Sequence, residues 1–192
     1  NSAQAISLTI PHDREWFREQ LKLTLVAAGN EESYIRIIVT RGIGEINIDP
    51  SSCENPNIIL IVMDVTIYSQ SFYEKGIQVA LVSIKRNPVD SLNPNIKTGN
   101  YLNNVLAKME AEKLGSQDAI MVNALGHLTE GTTSNLFFVR EGHILTPSLD
   151  CGILSGITRE MVIQLARENG FHIEEGKWPG EELCEAEIGR AS

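Results

Sequence analysis

At 192 residues, with 42% apolar and 21% charged side chains, the chain can bury one substantial core or two smaller ones. Its net charge of -9, unrelieved by any basic stretch, argues against nucleic acid and points to small molecules and other protein chains as partners. Cys53, Cys151 and Cys184 are odd in number, far apart and without Cys-x-x-Cys or Cys/His ligand spacing. They read as reduced thiols of a cytoplasmic protein, with no disulfide framework and no metal site. No run approaches the length of a membrane span, and no signal peptide is present.

The chain opens on NSAQAISLTIP, which reads as the middle of a domain. IPHDREWFREQLKLTLVAAGN is an amphipathic helix, with Pro11 in its first turn, Trp16, Phe17, Leu21 and Leu25 at helical spacing, and Gly29 closing it. SYIRIIVTR is a strand by its β-branched content, and NIILIVM (57–63) an unbroken apolar run expected to be a buried strand. The pattern lapses between Thr66 and Tyr73, which places a domain boundary between residues 1–66 and 74–192. GIQVALVSIK (76–85) is another strand, followed by a Pro- and Asn-rich connection. Leu102, Val105, Leu106 and Met109 then keep helical spacing up to Gly115. DAIMVNA is a strand, and NLFFVREGHILTP a hairpin turning at Glu141-Gly142. A last helix runs from Ser155, its expected N-cap, through Met161, Val162 and Leu165 to Gly170. Strands and helices mix without strict alternation, so the fold class is mixed α/β, or α+β, and not a doubly wound sheet.

Four features could carry chemistry. Lys97 sits in NPNIKTGN, just before a helix, with no acidic neighbour in the local sequence. Glu130 lies in LTEGTTSN, a polar turn between apolar strands. LSGITR sets a Ser-Gly pair at a helix start, where backbone N–H groups, the Thr158 hydroxyl and the helix dipole suit a phosphate. Tyr34 and Arg36 share one strand face. Each has a bland alternative: a solvated lysine, an exposed carboxylate, a plain helix cap, a solvated edge. The histidines lack metal spacing, RGIGE lacks a GxGxxG frame, and no GxSxG occurs. A reactive amine, a carboxylate and a phosphate seat in one domain are the three handles of pyridoxal 5′-phosphate.

EGTTSNLFFVREGHILTPSLDCGILSGITR resembles the signature of the class IV aminotransferases, the fold-type IV pyridoxal-phosphate enzymes, in its Glu-Gly, Asn135-Leu136-Phe137, Leu145-Thr146 and Gly-Ile-Thr-Arg elements. NIKTGNYLNNVLAKMEAEKLG is similar to that family's Schiff-base lysine segment, and YIRIIVTRGIGEINIDP resembles the branched-chain amino acid aminotransferases in particular. The resemblance implies a small α/β domain and a larger pseudo-barrel α/β domain that binds the cofactor. It implies that Lys97 carries the cofactor as an internal aldimine and shuttles a proton, and that Glu130 faces the pyridine nitrogen. Tyr101 would bond the phenolic oxygen, Leu154 pack on the ring, and Ile157 and Thr158 hold the phosphate, while Tyr34 and Arg36 lie on the substrate side. The implied reaction is amino-group exchange between branched-chain L-amino acids and 2-oxoglutarate, in a cytoplasmic homodimer or higher oligomer.

Two departures stand out. Family members begin earlier, with strands that include a phosphate-contacting arginine, and continue into a Gly-Thr loop where this chain reads CEAEIGRAS. The residues are therefore expected to belong to a longer polypeptide. The alternatives are a D-amino acid transaminase, disfavoured because RGIGEINIDP lacks that group's Arg-x-His pair, an aminodeoxychorismate lyase, or a non-catalytic relative that binds the cofactor without turnover.

Overall fold

The computed structural model describes residues 2–185 and 187–191, with side-chain surroundings for residues 2–183. It divides into two compact units, Asn1–Tyr73 and Glu74–Ser192.

The first unit holds a short helix α1 (Ser2–Ala5), helix α2 (Arg14–Ala28) and strands β1 (Ser33–Thr40) and β2 (Asn57–Asp64). Asp13 accepts the Trp16 N–H at 2.9 Å and starts α2 there, so Pro11 precedes the helix instead of lying in its first turn. Gly29 ends it in the left-handed conformation, φ 69°, donating its N–H to Leu25 O. Trp16, Phe17, Leu21 and Leu25 form the half-buried face. The β1–β2 ladder is antiparallel, with Tyr34 opposite Met63, Arg36 opposite Ile61 and Ile38 opposite Ile59. The run at 57–63 is only partly covered, contrary to expectation. One helix cannot cover both faces of a two-stranded sheet, and among the described residues no side chain of this unit is fully buried.

Helix α3 (Gln70–Lys75) spans the division. The second unit follows with β3 (Val79–Lys85), α4 (Leu102–Lys113), β4 (Asp118–Val122), β5 (Leu128–Gly131), β6 (Asn135–Arg140), β7 (His143–Pro147), α5 (Ile157–Glu168), β8 (Ile173–Gly176) and β9 (Glu187–Ala191). The strands form one sheet in the order β3-β4-β5-β6-β7-β8, with β9 added on β6. β3–β4 and β7–β8 are parallel and the other pairs antiparallel. All of β4 is buried because both its faces are covered. Ile120 and Val122 join Leu128, Leu136, Phe138, Leu145 and Trp178 on one side, while Ala119 and Met121 meet Val82 and helix α4 on the other. The β6–β7 hairpin turns at Glu141 and Gly142, with φ 52° and 79°, the two positive values that a two-residue type I′ turn needs.

Both large helices form where their periodicity places them, but each faces inward differently. In α4 the stripe of Leu102, Val105, Leu106 and Met109 is exposed, and Ala107 and Ala111 lie against the sheet. Only methyl groups allow so close an approach to Val82, Ala119 and Met121. In α5, Met161 and Leu165 are exposed, while Arg159, Ile163 and Ala166 point inward.

Candidate functional site

The site grows from an irregularity at the end of β3. Its register against β4 shifts between Leu81 and Lys85. The Ser83 and Ile84 N–H groups donate instead to the Glu110 carboxylate of α4, at 2.7 and 3.3 Å. Arg86 N–H then donates to Val122 O at 2.9 Å, and its side chain enters the interior.

There Arg86 Nε and Nη2 both donate to Glu130 Oε1, at 3.0 and 2.7 Å. Arg86 Nη1 reaches Asn103 Oδ1 and Asn104 Oδ1 at the start of α4, at 3.2 and 3.4 Å. Glu130 itself lies in strand β5, opposite Asn135, and is buried, where the sequence suggested an exposed turn. Its other oxygen, Oε2, accepts the Leu154 N–H at 2.9 Å and Asn135 Nδ2 at 3.3 Å. A carboxylate has room for about four donors, and this one has them. Burial pushes the Glu130 carboxyl above the usual carboxylate range, while the Arg86 charge, the Leu154 N–H and the Lys97 charge pull it back.

The turn before α5 is fixed from several sides. Asn135 Nδ2 also donates to Leu154 O at 2.9 Å, and Ser155 N–H donates to Asn95 Oδ1 at 2.9 Å. Gly156, not Ser155, is the N-cap; the Ser155 hydroxyl donates to Glu160 Oε1 at 2.6 Å instead. A Cβ on Gly156 would lie 2.1 Å from Asn135 Oδ1, so only glycine fits. Helix α5 begins with Glu160 N–H donating to Gly156 O, which puts the Ile157 and Thr158 N–H groups in the first turn, ahead of any helical carbonyl. Both residues are exposed, and Leu154 is half-buried.

Lys97 is exposed, so the described residues do not dry its amine as the sequence reading supposed. Its segment is held by Asn93, whose Oδ1 accepts the Asn95 N–H at 2.9 Å and whose carbonyl accepts the Ile96 N–H at 3.0 Å. Tyr101 forms the N-terminal boundary of α4 and is partly exposed. The second unit thus brings Glu130, Leu154 and the 155–158 turn together, with the Lys97 segment tied to them through Asn95. Tyr34 and Arg36 lie in the first unit, both exposed on one face of the ladder with Ile59, Ile61 and Met63. Arg86 and Asn95 were not singled out from the sequence. The one hint was an arginine directly after a strand and before a Pro-rich connection.

The arrangement offers an accessible amine, a buried carboxylate and a helix start opened by glycine. These match in kind an aldehyde, a basic ring nitrogen and a phosphate. Among the described residues no group of three or more His, Cys, Asp or Glu could hold a metal, and no helix is long and apolar enough to cross a membrane. Cys53 and Cys151 are free thiols; Cys184 lies outside the described side chains.

The family profile for amino-transferase class IV matches residues 1–189. The chain belongs to the class IV aminotransferases. A putative branched-chain-amino-acid aminotransferase of Methanocaldococcus jannaschii is 39% identical over 175 residues, covering 91% of this chain and 60% of that protein. An aminodeoxychorismate lyase of Bacillus subtilis is 30% identical over 174 residues, covering 90% and 57%. Among solved structures, the branched-chain aminotransferase of the archaeon Thermoproteus uzoniensis with norvaline superposes with a TM-score of 0.88 at 33% identity, covering 98% of this chain and 66% of that one. A bacterial-type branched-chain amino acid aminotransferase solved with pyridoxamine 5′-phosphate gives 0.92 at 29%, covering 99% and 63%. The chain therefore shares the mixed α/β fold of these enzymes and spans about 60% of the length of such relatives.

In this class IV aminotransferase the arginine that ends Gly-Ile-Thr-Arg turns away from any ligand. Arg159 is buried and donates to Pro147 O and Glu175 Oε2, both at 2.8 Å, which pins α5 to the ends of β7 and β8.

Proposed function

We propose that this chain forms the cofactor-binding part of a pyridoxal-phosphate aminotransferase that exchanges the amino group between branched-chain L-amino acids and 2-oxoglutarate, working as a cytoplasmic homodimer. The observation that carries the reading is the Glu130 carboxylate, buried, paired with Arg86 and bonded directly to the Leu154 N–H at the root of the phosphate turn. Pyridoxal 5′-phosphate, when bound, supplies an electron sink for the charge left when the substrate Cα loses its proton.

The protein's own groups do the rest. Lys97 Nζ would hold the cofactor covalently between turnovers and move the proton to and from the substrate Cα. Glu130 would face the ring nitrogen and keep it protonated; Arg86 holds that carboxylate ionised in an otherwise unfavourable interior. Tyr101 would bond the phenolic oxygen, Leu154 would pack on the ring, and Ile157 and Thr158 would seat the phosphate at the positive end of α5. Tyr34 and Arg36, on an apolar strand face, would receive the substrate: the aliphatic side chain on Ile59, Ile61 and Met63, a distal carboxylate on the guanidinium.

The decisive experiment loads the protein with the cofactor and follows a panel of L- and D-amino acids by visible absorbance, with Lys97→Ala as control. The wild type should gain a visible band that shifts with L-leucine, L-valine and L-glutamate, and Lys97→Ala should show neither band nor exchange. Full exchange by Lys97→Ala rejects the assignment. Light scattering tests the dimer: an active monomer rejects it. The lyase reading is favoured by the similarity to the Bacillus subtilis enzyme. Consumption of aminodeoxychorismate without any 2-oxo acid acceptor would establish it instead.

A further inference from the structure

The Lys97 segment and the turn before α5 meet through a hydrogen bond that spans 60 residues of sequence, from Ser155 N–H to Asn95 Oδ1 at 2.9 Å. We propose that Asn95 is a positioning residue that couples the seating of a phosphate at this turn to the placement of the Lys97 amine. The inference rests on the cofactor reading above and adds to it a residue that need not touch the cofactor at all.

Asn95 is itself held, because its N–H donates to Asn93 Oδ1 at 2.9 Å and the following Ile96 N–H donates to Asn93 O at 3.0 Å. Pro94, between them, is buried. This local turn makes residues 93–96 a stiff unit that ends one residue before Lys97. On the other side of the bond, the turn is fixed at Leu154 by Glu130 and Asn135, but at Ser155 it is Asn95 that takes the backbone N–H. Asn95 thereby uses the Ser155 donor, so the donors available to an anion begin at Gly156.

The links close into a ring. Lys97 leads into α4, whose Asn103 and Asn104 hold Arg86; Arg86 holds Glu130; Glu130 holds Leu154; and Ser155 returns through Asn95 to the residue before Ile96 and Lys97. A shift of the turn on anion arrival is therefore passed to the amine by the short path through Asn95. Cutting the ring at Asn95 removes no group assigned to the cofactor. One such bond at a partly exposed place changes an equilibrium by about two- to tenfold, enough to measure and too little to unfold the protein.

Two measurements test this. In the cofactor-free protein, hydrogen exchange at the Ser155 amide should quicken by about two- to tenfold in Asn95→Ala and recover in Asn95→Asp, which keeps the acceptor oxygen. Unchanged exchange in Asn95→Ala overturns the proposal. Second, pyridoxal, which lacks the phosphate, is added with and without inorganic phosphate, and the visible band from its reaction with Lys97 is followed. Phosphate should promote the band in wild type by about two- to tenfold, and this promotion should vanish in Asn95→Ala. A promotion that survives Asn95→Ala overturns the coupling alone. A wild type that forms no band with pyridoxal or with pyridoxal 5′-phosphate overturns the cofactor reading and the coupling with it.

Discussion

Arg86 and Glu130 are 44 residues apart in sequence and meet in the interior at 2.7 Å, their side chains 9% and 7% exposed. The pair is the hinge between two regions that the sequence presents separately, the start of α4 after the lysine segment and the turn before α5. Its value lies in what happens when one half is missing.

Arg86→Ala leaves a buried carboxylate without its cation and should cost about 3 kcal/mol in urea unfolding at neutral pH. The pH dependence carries the signature. Without Arg86, the Glu130 pKa rises further above its unfolded value, so the folded state binds the proton more tightly. The stability deficit should be smallest at acidic pH and grow as pH rises through the folded value. A deficit independent of pH would mean that Arg86 acts by packing alone.

Gly156→Ala places a Cβ 2.1 Å from Asn135 Oδ1 and forces that amide away from Glu130 and Leu154. A loss of about 1–3 kcal/mol in thermal unfolding is expected, together with weaker cofactor binding. Asn135→Ser in the same background should recover part of the stability by making room. No recovery would place the strain elsewhere.

Arg36→Met should slow the L-glutamate half-reaction about ten- to a hundredfold and leave L-leucine and L-valine nearly unchanged, because only the former brings a second carboxylate. Single-turnover rates with each amino acid measure it. Equal losses would make Arg36 structural and leave the branched-chain reading resting on family likeness.

The Ser83 N–H and hydroxyl and the Ile84 N–H, all donating to Glu110, hold its carboxyl below the ordinary glutamate value of 4.5, against a smaller upward push from burial. A depressed carboxyl stabilises the fold above its unfolded pKa and ceases to as pH falls through the folded one. Wild type should therefore lose melting temperature on acidification below about pH 4.5, and Glu110→Gln should start lower and show a shallower decline over the same window. Parallel curves would refute the assignment.

What could be read from the chain was local. The lysine segment, Glu130 in its small-residue string and Leu-Ser-Gly-Ile-Thr-Arg are contiguous strings, and the helices and hairpin follow from periodicity and the Glu141-Gly142 turn. The identity of a helix's inward face was not legible. In α4 the large apolar residues are the ones a periodicity reading selects, yet the sheet comes close enough to admit only Ala107 and Ala111. Arg86 and Asn95 escaped for another reason: their partners lie 44 and 60 residues away, and nothing beside either residue signals the bond. The exposed turn expected at Glu130 is a buried strand because Arg86 makes burial of the charge tolerable.

The irregular end of β3 has a consequence for how molecules of this protein meet one another. Among the described residues β3 ends the sheet order, and an end strand with spare N–H groups invites a foreign strand to dock edge to edge. Here the Ser83 and Ile84 N–H groups are already occupied by a helix carboxylate. The shift in register that delivers Arg86 to the interior thus also blunts the outer rim against aggregation.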